Sequence, residues 1–158
     1  MILLSQLIFD TLLDEFRWPR SSLERVAYID GIACGDVKIA TTLTLPYAAM
    51  HPRHFTVSGA AMSEAGRHFR TFGIERLAQV HTHPGADVNH SDFDDENAYS
   101  QLDRAVSIVM PHHARMRPTL AECGVHIRDA SGWRRLNTKE IDELIRLFPG
   151  CLDFRRYQ

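Results

Sequence analysis

Within residues 80–95, VHTHPGADVNHSDFDD, three histidines, one serine and four aspartates fall in one short run. On a strand, His81 and His83 leave the same face with Cα atoms roughly 6.5–7 Å apart. That spacing lets two imidazoles converge on one ion at about 2.0–2.1 Å each. Pro84-Gly85 breaks the strand just beyond them and opens space for a ligand. Asp94, on the first turn of a helix opened by Ser91, is placed to be a third ligand. Two histidines and one carboxylate leave a tetrahedral position for water, the catalytic form of a zinc site. A plainer reading covers the same residues. Ser91-Asp-Phe-Asp94 resembles a capping box, which accounts for both ends without a metal, and a His-x-His pair by itself is a weak signal. The two readings are compatible, because a helix start fixes where Asp94 stands.

The surrounding elements must deliver these side chains. Residues 3–16 carry Leu4, Leu7, Ile8, Leu12 and Phe16 at helical spacing, predicting an amphipathic helix. WPRSS (18–22) breaks it. Residues 23–46 read as two strands joined near Gly31 and Gly35 and ended by Pro46. Residues 47–57 read as a loop. Ser58 predicts the N-cap of a helix over 59–72, closed by Gly73. Residues 76–83 read as a buried strand, Ser91 as the start of a helix to about Leu102, and 104–110 as another strand. Residues 111–118 read as an exposed basic loop and 119–136 as a hairpin turning at Asp129 to Gly132. Asn137 or Thr138 caps a last helix to Phe148, stopped by Pro149-Gly150. The expectation is a single α/β domain over 1–150, a mixed central sheet flanked by helices, with a frayed tail at 151–158.

Composition narrows the function. A chain of 158 residues with 44% apolar and 24% charged residues can bury one sizeable core. The net charge of -2 lacks the basic footprint of nucleic-acid binding. There is no apolar run long enough for a membrane span, and the apolar N-terminus is interrupted by Ser5, Gln6 and Asp10, unlike a secretory signal. Cys34, Cys123 and Cys151 are odd in number and widely spaced, which argues against a disulfide scaffold or a thiolate zinc site and fits a reducing cytoplasm. Other His-x-His enzymes fit poorly. An amidohydrolase barrel needs roughly 250 residues, a cupin needs a nearly all-β chain, and nucleobase deaminases need His-x-Glu with Pro-Cys-x-x-Cys.

The complete spacing is His81-Thr-His83-Pro, seven residues, Ser91, two residues, Asp94. It resembles the JAMM (MPN+, Mov34/JAB) zinc metalloprotease family, whose pattern is His-x-His, seven residues, Ser-x-x-Asp. The family also carries a glutamate on an earlier strand, followed seven positions later by glycine, and Glu24 and Gly31 within LERVAYIDG match. The resemblance extends over roughly residues 2–128. It implies a JAMM/MPN-type, cytidine-deaminase-like fold, with one catalytic zinc held by His81, His83 and Asp94. By the same resemblance Glu24 moves the proton and Ser91 donates to the oxyanion. Glu75 lies about 20 Å from the metal end of its strand and cannot substitute for Glu24, and Glu64 and Glu15 sit on helices.

His90 departs from the family, many of whose members have proline before the serine. It is read here as a solvated loop histidine, with a spare ligand or a substrate contact as the alternatives. His51, His54, His68, His112, His113 and His126 have no ligand spacing and are expected at the surface or satisfied in the core. By resemblance, loops 46–57 and 111–118 flank a substrate tail. The prokaryotic branch implies a cytoplasmic peptidase or isopeptidase acting after the C-terminus of a ubiquitin-like protein. Activating- and conjugating-type enzymes would be its partners, including in antiviral defence; neither nucleic acid nor membrane is involved. The alternatives are an endopeptidase trimming a sulfur-carrier protein and a non-catalytic scaffold.

Overall fold

The computed structural model describes residues 1–17 and 22–150. The 151–158 tail and all but Ser22 of the WPRSS breaker lie outside them. The architecture is a mixed α/β fold around an eight-stranded sheet. Its centre is built from β2 (Val26–Cys34), β6 (Glu75–Thr82) and β7 (Val106–Met110). Each of the three pairs on both sides, and their residues are buried over most of their length. β3 (Val37–Thr44) and β1 (Ile2–Ser5) continue the sheet on one side of β2, to the edge strand β10 (Ile145–Phe148). β8 (Gly124–Asp129) and β9 (Gly132–Arg135) continue it beyond β7. β6 runs parallel to β7 and antiparallel to β2. A separate hairpin of β4 (Ala48–Met50) and β5 (Phe55–Val57) occupies the segment read as a loop.

One sheet face carries the main core. Ala27, Ile29, Ala78, Val80, Ile108, Met110 and Val125 pack there with Phe9, Leu12, Leu13 and Phe16 of α1 (Gln6–Arg17). The opposite face carries polar residues at alternate positions. The strand registers align Tyr28, Gln79, Ser107 and His126 in one row across four strands, and Val26, His81, Val109 and Gly124 in the next. This second face is covered by Phe55, Tyr99, α2 (Gly59–Phe72) and α3 (Asp92–Asn97).

The caps of α2 match the expectation. Ser58 accepts from the Ala61 N–H, and Gly73 adopts a left-handed φ of 62°. Elsewhere the structure departs from the expectation. Residues 2–5 form a strand before α1, and 145–148 form a strand after α4 (Thr138–Leu144); the two pair with each other in parallel. Each is only four residues long and abuts a helix, so helical periodicity conceals it. The helix beginning after Ser91 stops at Asn97, well short of Leu102. Of the two glycines expected near the β2–β3 turn, Gly35 lies in it. Gly31 lies inside β2 at a register shift, and a Cβ there would stand 2.0 Å from the Ile39 carbonyl oxygen. Lastly, segment 111–118 is only partly exposed, with His113, Ala114 and Pro118 buried.

Candidate metal centre

His81 is the penultimate residue of β6 and fully buried, and His83 follows the end of the strand. That end is tied on both sides. The Thr82 N–H donates to the Arg25 carbonyl, and the Arg25 N–H donates to the Thr82 hydroxyl. The His83 N–H donates to the Met110 carbonyl, and the His83 carbonyl accepts from the His113 N–H. His112 and His113 make the second tie in a left-handed turn, with φ of 52° at both, and the His112 N–H also holds the Gly85 carbonyl. Left-handed backbone costs a non-glycine residue roughly 1–2 kcal/mol, so these bonds offset a local strain to keep the end of β6 in place.

Asp94 arrives from the third position of α3. Its Oδ2 accepts from the Ser91 N–H at 2.8 Å and the Ser91 hydroxyl at 2.7 Å, and its own N–H donates to Ser91 Oγ at 3.2 Å. The capping box is therefore real, and it aims the carboxylate rather than consuming it. Asp94 Oδ1 lies 3.4 Å from His81 Nε2, and Oδ2 lies 3.4 Å from His83 Nε2. Two ligands at about 2.0–2.1 Å from one tetrahedral ion stand about 3.3–3.4 Å apart. The three donor atoms all lie within 4.8 Å of one another. His83 Nδ1–H donates to the Asp87 carbonyl at 3.0 Å, which turns Nε2 toward Asp94. Both ring nitrogens of buried His81 lack a hydrogen-bond partner. An orphaned imidazole costs stability unless something else takes its lone pair, and a cation at Nε2 does that. The donor set fits zinc, and the cluster is consistent with the JAMM motif.

Burial lowers the pKa of His81, outweighing the opposing pull of Asp94. Burial also opposes a charge on Asp94, but His81, His83 and the Ser91 N–H together hold its carboxyl well below the ordinary carboxylate range.

Glu24 lies two residues before β2. Val26 pairs with His81, so continuing the register brings Glu24 level with His83. Its N–H donates to the His51 carbonyl at 2.8 Å. The carboxyl is buried, Oε2 has no hydrogen-bond partner, and burial raises the pKa to about 7, partly opposed by His83 and Arg53. A cavity of about 230 Å³ joins Glu24, Arg53, His83, His90 and Ser91. Glu75 pairs with Lys38 at the far end of β6.

The structure thus brings together Glu24, His81, His83, Ser91 and Asp94. It also corrects two readings. His90 is no solvated loop residue, because its imidazole is 5% exposed and bonded at both nitrogens. His126 is buried but not satisfied: Nδ1 has no partner, and burial pushes its pKa down to about 3. Sequence reasoning missed Arg53 on the cavity wall and the link between Ser107 and His90. The available signal for Ser107 was a lone hydroxyl in the apolar strand AVSIVM, since a buried polar group needs a partner.

No protein-family model matches the chain, and no curated protein does. Solved structures do. The solution structure of protein DSY2949 from Desulfitobacterium hafniense superposes with a TM-score of 0.70 at 18% identity, covering 94% of this chain and 93% of that one. A solution structure of a Salinibacter ruber protein gives 0.55 at 14% identity, covering 87% and 89%. A crystal structure of AF2198, a JAB1/MPN domain protein from Archaeoglobus fulgidus, gives 0.46 at 18% identity, covering 87% and 95%. At these identities the first two likenesses are of fold alone, and the third is too loose to assign anything. No helix among the described residues is long and apolar enough to cross a membrane.

Proposed function

We propose that this protein is a zinc-dependent peptidase or isopeptidase that hydrolyses the bond following the C-terminus of a ubiquitin-like protein. The observation that carries the reading is a two-histidine, one-aspartate donor cluster whose His83 lines one cavity together with Glu24, a buried glutamate whose Oε2 has no partner. The substrate class rests on the spacing from Glu24 through Asp94 and its family resemblance. Activating- and conjugating-type enzymes of a prokaryotic system, acting in the cytoplasm, are the partners that resemblance implies.

His81 and His83 would hold the ion through Nε2, with Asp94 through its carboxylate. Bound there, zinc supplies Lewis-acid chemistry, acidifying a water molecule and polarising the scissile carbonyl. Glu24 takes a proton from the attacking water as the new C–O bond forms. It returns that proton to the leaving nitrogen as the C–N bond breaks, so the base of the first half is the acid of the second. Ser91 Oγ–H donates to the oxyanion. In the resting arrangement that hydroxyl donates to Asp94, so it must rotate to serve the substrate, while the Ser91 N–H keeps Asp94 in place.

The test is metal content together with cleavage. Purified protein should carry about one zinc per chain and release a ubiquitin-like protein from a C-terminal fusion, whereas His81→Ala, His83→Ala and Asp94→Ala should each lose most of the metal. Full zinc occupancy in all three variants would end the metal assignment. Zinc binding without cleavage of any ubiquitin-like fusion would instead support a scaffold or another substrate.

A further inference from the structure

α3 has six residues, fewer than two turns, and helices that short do not hold themselves in water. It nevertheless carries Asp94, one of three donors, the other two being His81 on β6 and His83 just past its end. Something outside the helix must fix it against the sheet. We propose that His90 is the positioning residue that does so, a polar staple locking the Ser91–Asp94 turn to β7. The proposal rests on the metal reading above for its functional consequence, though not for its geometry.

His90 Nδ1 and Asp95 Oδ1 are 2.8 Å apart, and His90 Nε2 and Ser107 Oγ are 2.9 Å apart. An ionised carboxylate only accepts, so Nδ1 carries the hydrogen and donates to Asp95; Nε2 then accepts from the Ser107 hydroxyl. His90 immediately precedes the N-cap, and Asp95 is the fourth helical residue. At those two positions an apolar pair commonly fixes the angle at which the chain enters a helix. Here a charge-assisted hydrogen bond replaces the apolar contact, and the same ring reaches on to the sheet. Ser107 pairs with Gln79, two residues before His81 on the neighbouring strand. Asp94 and His81 are thereby referenced to one pair of strands.

The ring is bedded as well as bonded. It stacks on His126 at 4.0 Å with 23° between planes, and Trp133 lies 5.1 Å away. Its centroid is 5.9 Å from that of His81, yet both its nitrogens are engaged. It therefore supports the donor set without belonging to it.

The experiment compares wild type, His90→Ala and Ser107→Ala in two measurements. One is zinc affinity, by competition with a chromophoric chelator under conditions where each protein is folded. The other is amide hydrogen exchange of the metal-free proteins at Ser91, Asp94 and Asp95. Loss of such outer contacts typically weakens metal binding by about 10–100-fold. His90→Ala should show that loss and faster exchange at those three amides, with β6 protection unchanged. Ser107→Ala should move both measurements in the same direction by less, and the double variant should be no worse than His90→Ala. Wild-type affinity and wild-type exchange in a folded His90→Ala protein would overturn the proposal. If His90→Ala does not fold, Ser107→Ala decides on the same criteria. A wild type that binds no zinc would overturn the metal reading, and the exchange measurement would still judge the staple.

Discussion

At Glu24, burial raises a carboxyl whose ordinary value is 4.5 to about 7 and leaves Oε2 without a partner. Glu24→Gln keeps the shape and removes the proton acceptor. The variant should retain zinc and fold while losing about 10²–10⁴ in turnover, read by single-turnover cleavage beside metal analysis. Near-wild-type cleavage would place the base elsewhere, and lost zinc would make Glu24 a ligand. The same group has a stability signature in the metal-free protein. Its folded pKa lies above the unfolded one, so its contribution is fully present below about 4.5 and lost as pH rises through about 7. Urea melts across that window should show that component of the slope in wild type and not in Glu24→Gln. The grouping of His81, His83 and Asp94 was legible in sequence because a strand's two-residue period and a helix cap are local rules. The state of Glu24 was not, because it depends on His51 and Arg53 arriving from the β4–β5 hairpin.

The segment between His83 and Ser91 is held by packing as well as by hydrogen bonds. Val88 is buried, and its carbonyl oxygen lies 1.9 Å from where a Cβ at Gly124 would stand. Gly124→Ala must therefore push the loop away from β8. It should cost about 1–3 kcal/mol, the usual range for overpacking, and weaken zinc binding as Ser91 and Asp94 shift. Melting with and without zinc checks both, and a lower melting temperature with unchanged zinc affinity would show that the loop gives without disturbing the site. Ser91→Ala separates cap from chemistry. It should cost about 1 kcal/mol of stability and roughly 10²–10³ in rate, with zinc retained; reduced stability with unchanged turnover would leave Ser91 as a cap alone.

Across the molecule, the polar sheet face makes stability depend on pH. Burial lowers the pKa of His81, His90 and His126, the last from 6.5 to about 3. A depressed pKa contributes stability that is present above about 6.5 and lost as pH falls toward the folded value. The metal-free protein should therefore destabilise from about pH 6.5 downward, opposing the Glu24 trend. His126→Phe keeps a ring against His90 and removes the unpartnered nitrogen, so it should flatten that acid limb in pH-dependent melts. A limb of unchanged steepness would assign it to the other histidines. The fold itself should survive metal removal, because the apolar core on the α1 side contains none of the ligands.

Sequence alone determined the features governed by neighbours in the chain. These include the His81, His83, Ser91 and Asp94 spacing, the Ser91–Asp94 capping box, the Ser58 and Gly73 bounds of α2, and the buried strand that becomes β6. Tertiary structure decided what depends on partners far away in sequence. β1 and β10 are four-residue strands stabilised by pairing across more than a hundred residues, and nothing local distinguishes them from the helices they adjoin. Gly31 serves as a close approach rather than a turn because β3 lies against it. His90 reads as a solvated loop histidine until Ser107 and Asp95 occupy its two nitrogens, because a side chain's hydration is set by the surfaces folded over it and not by its sequence neighbours.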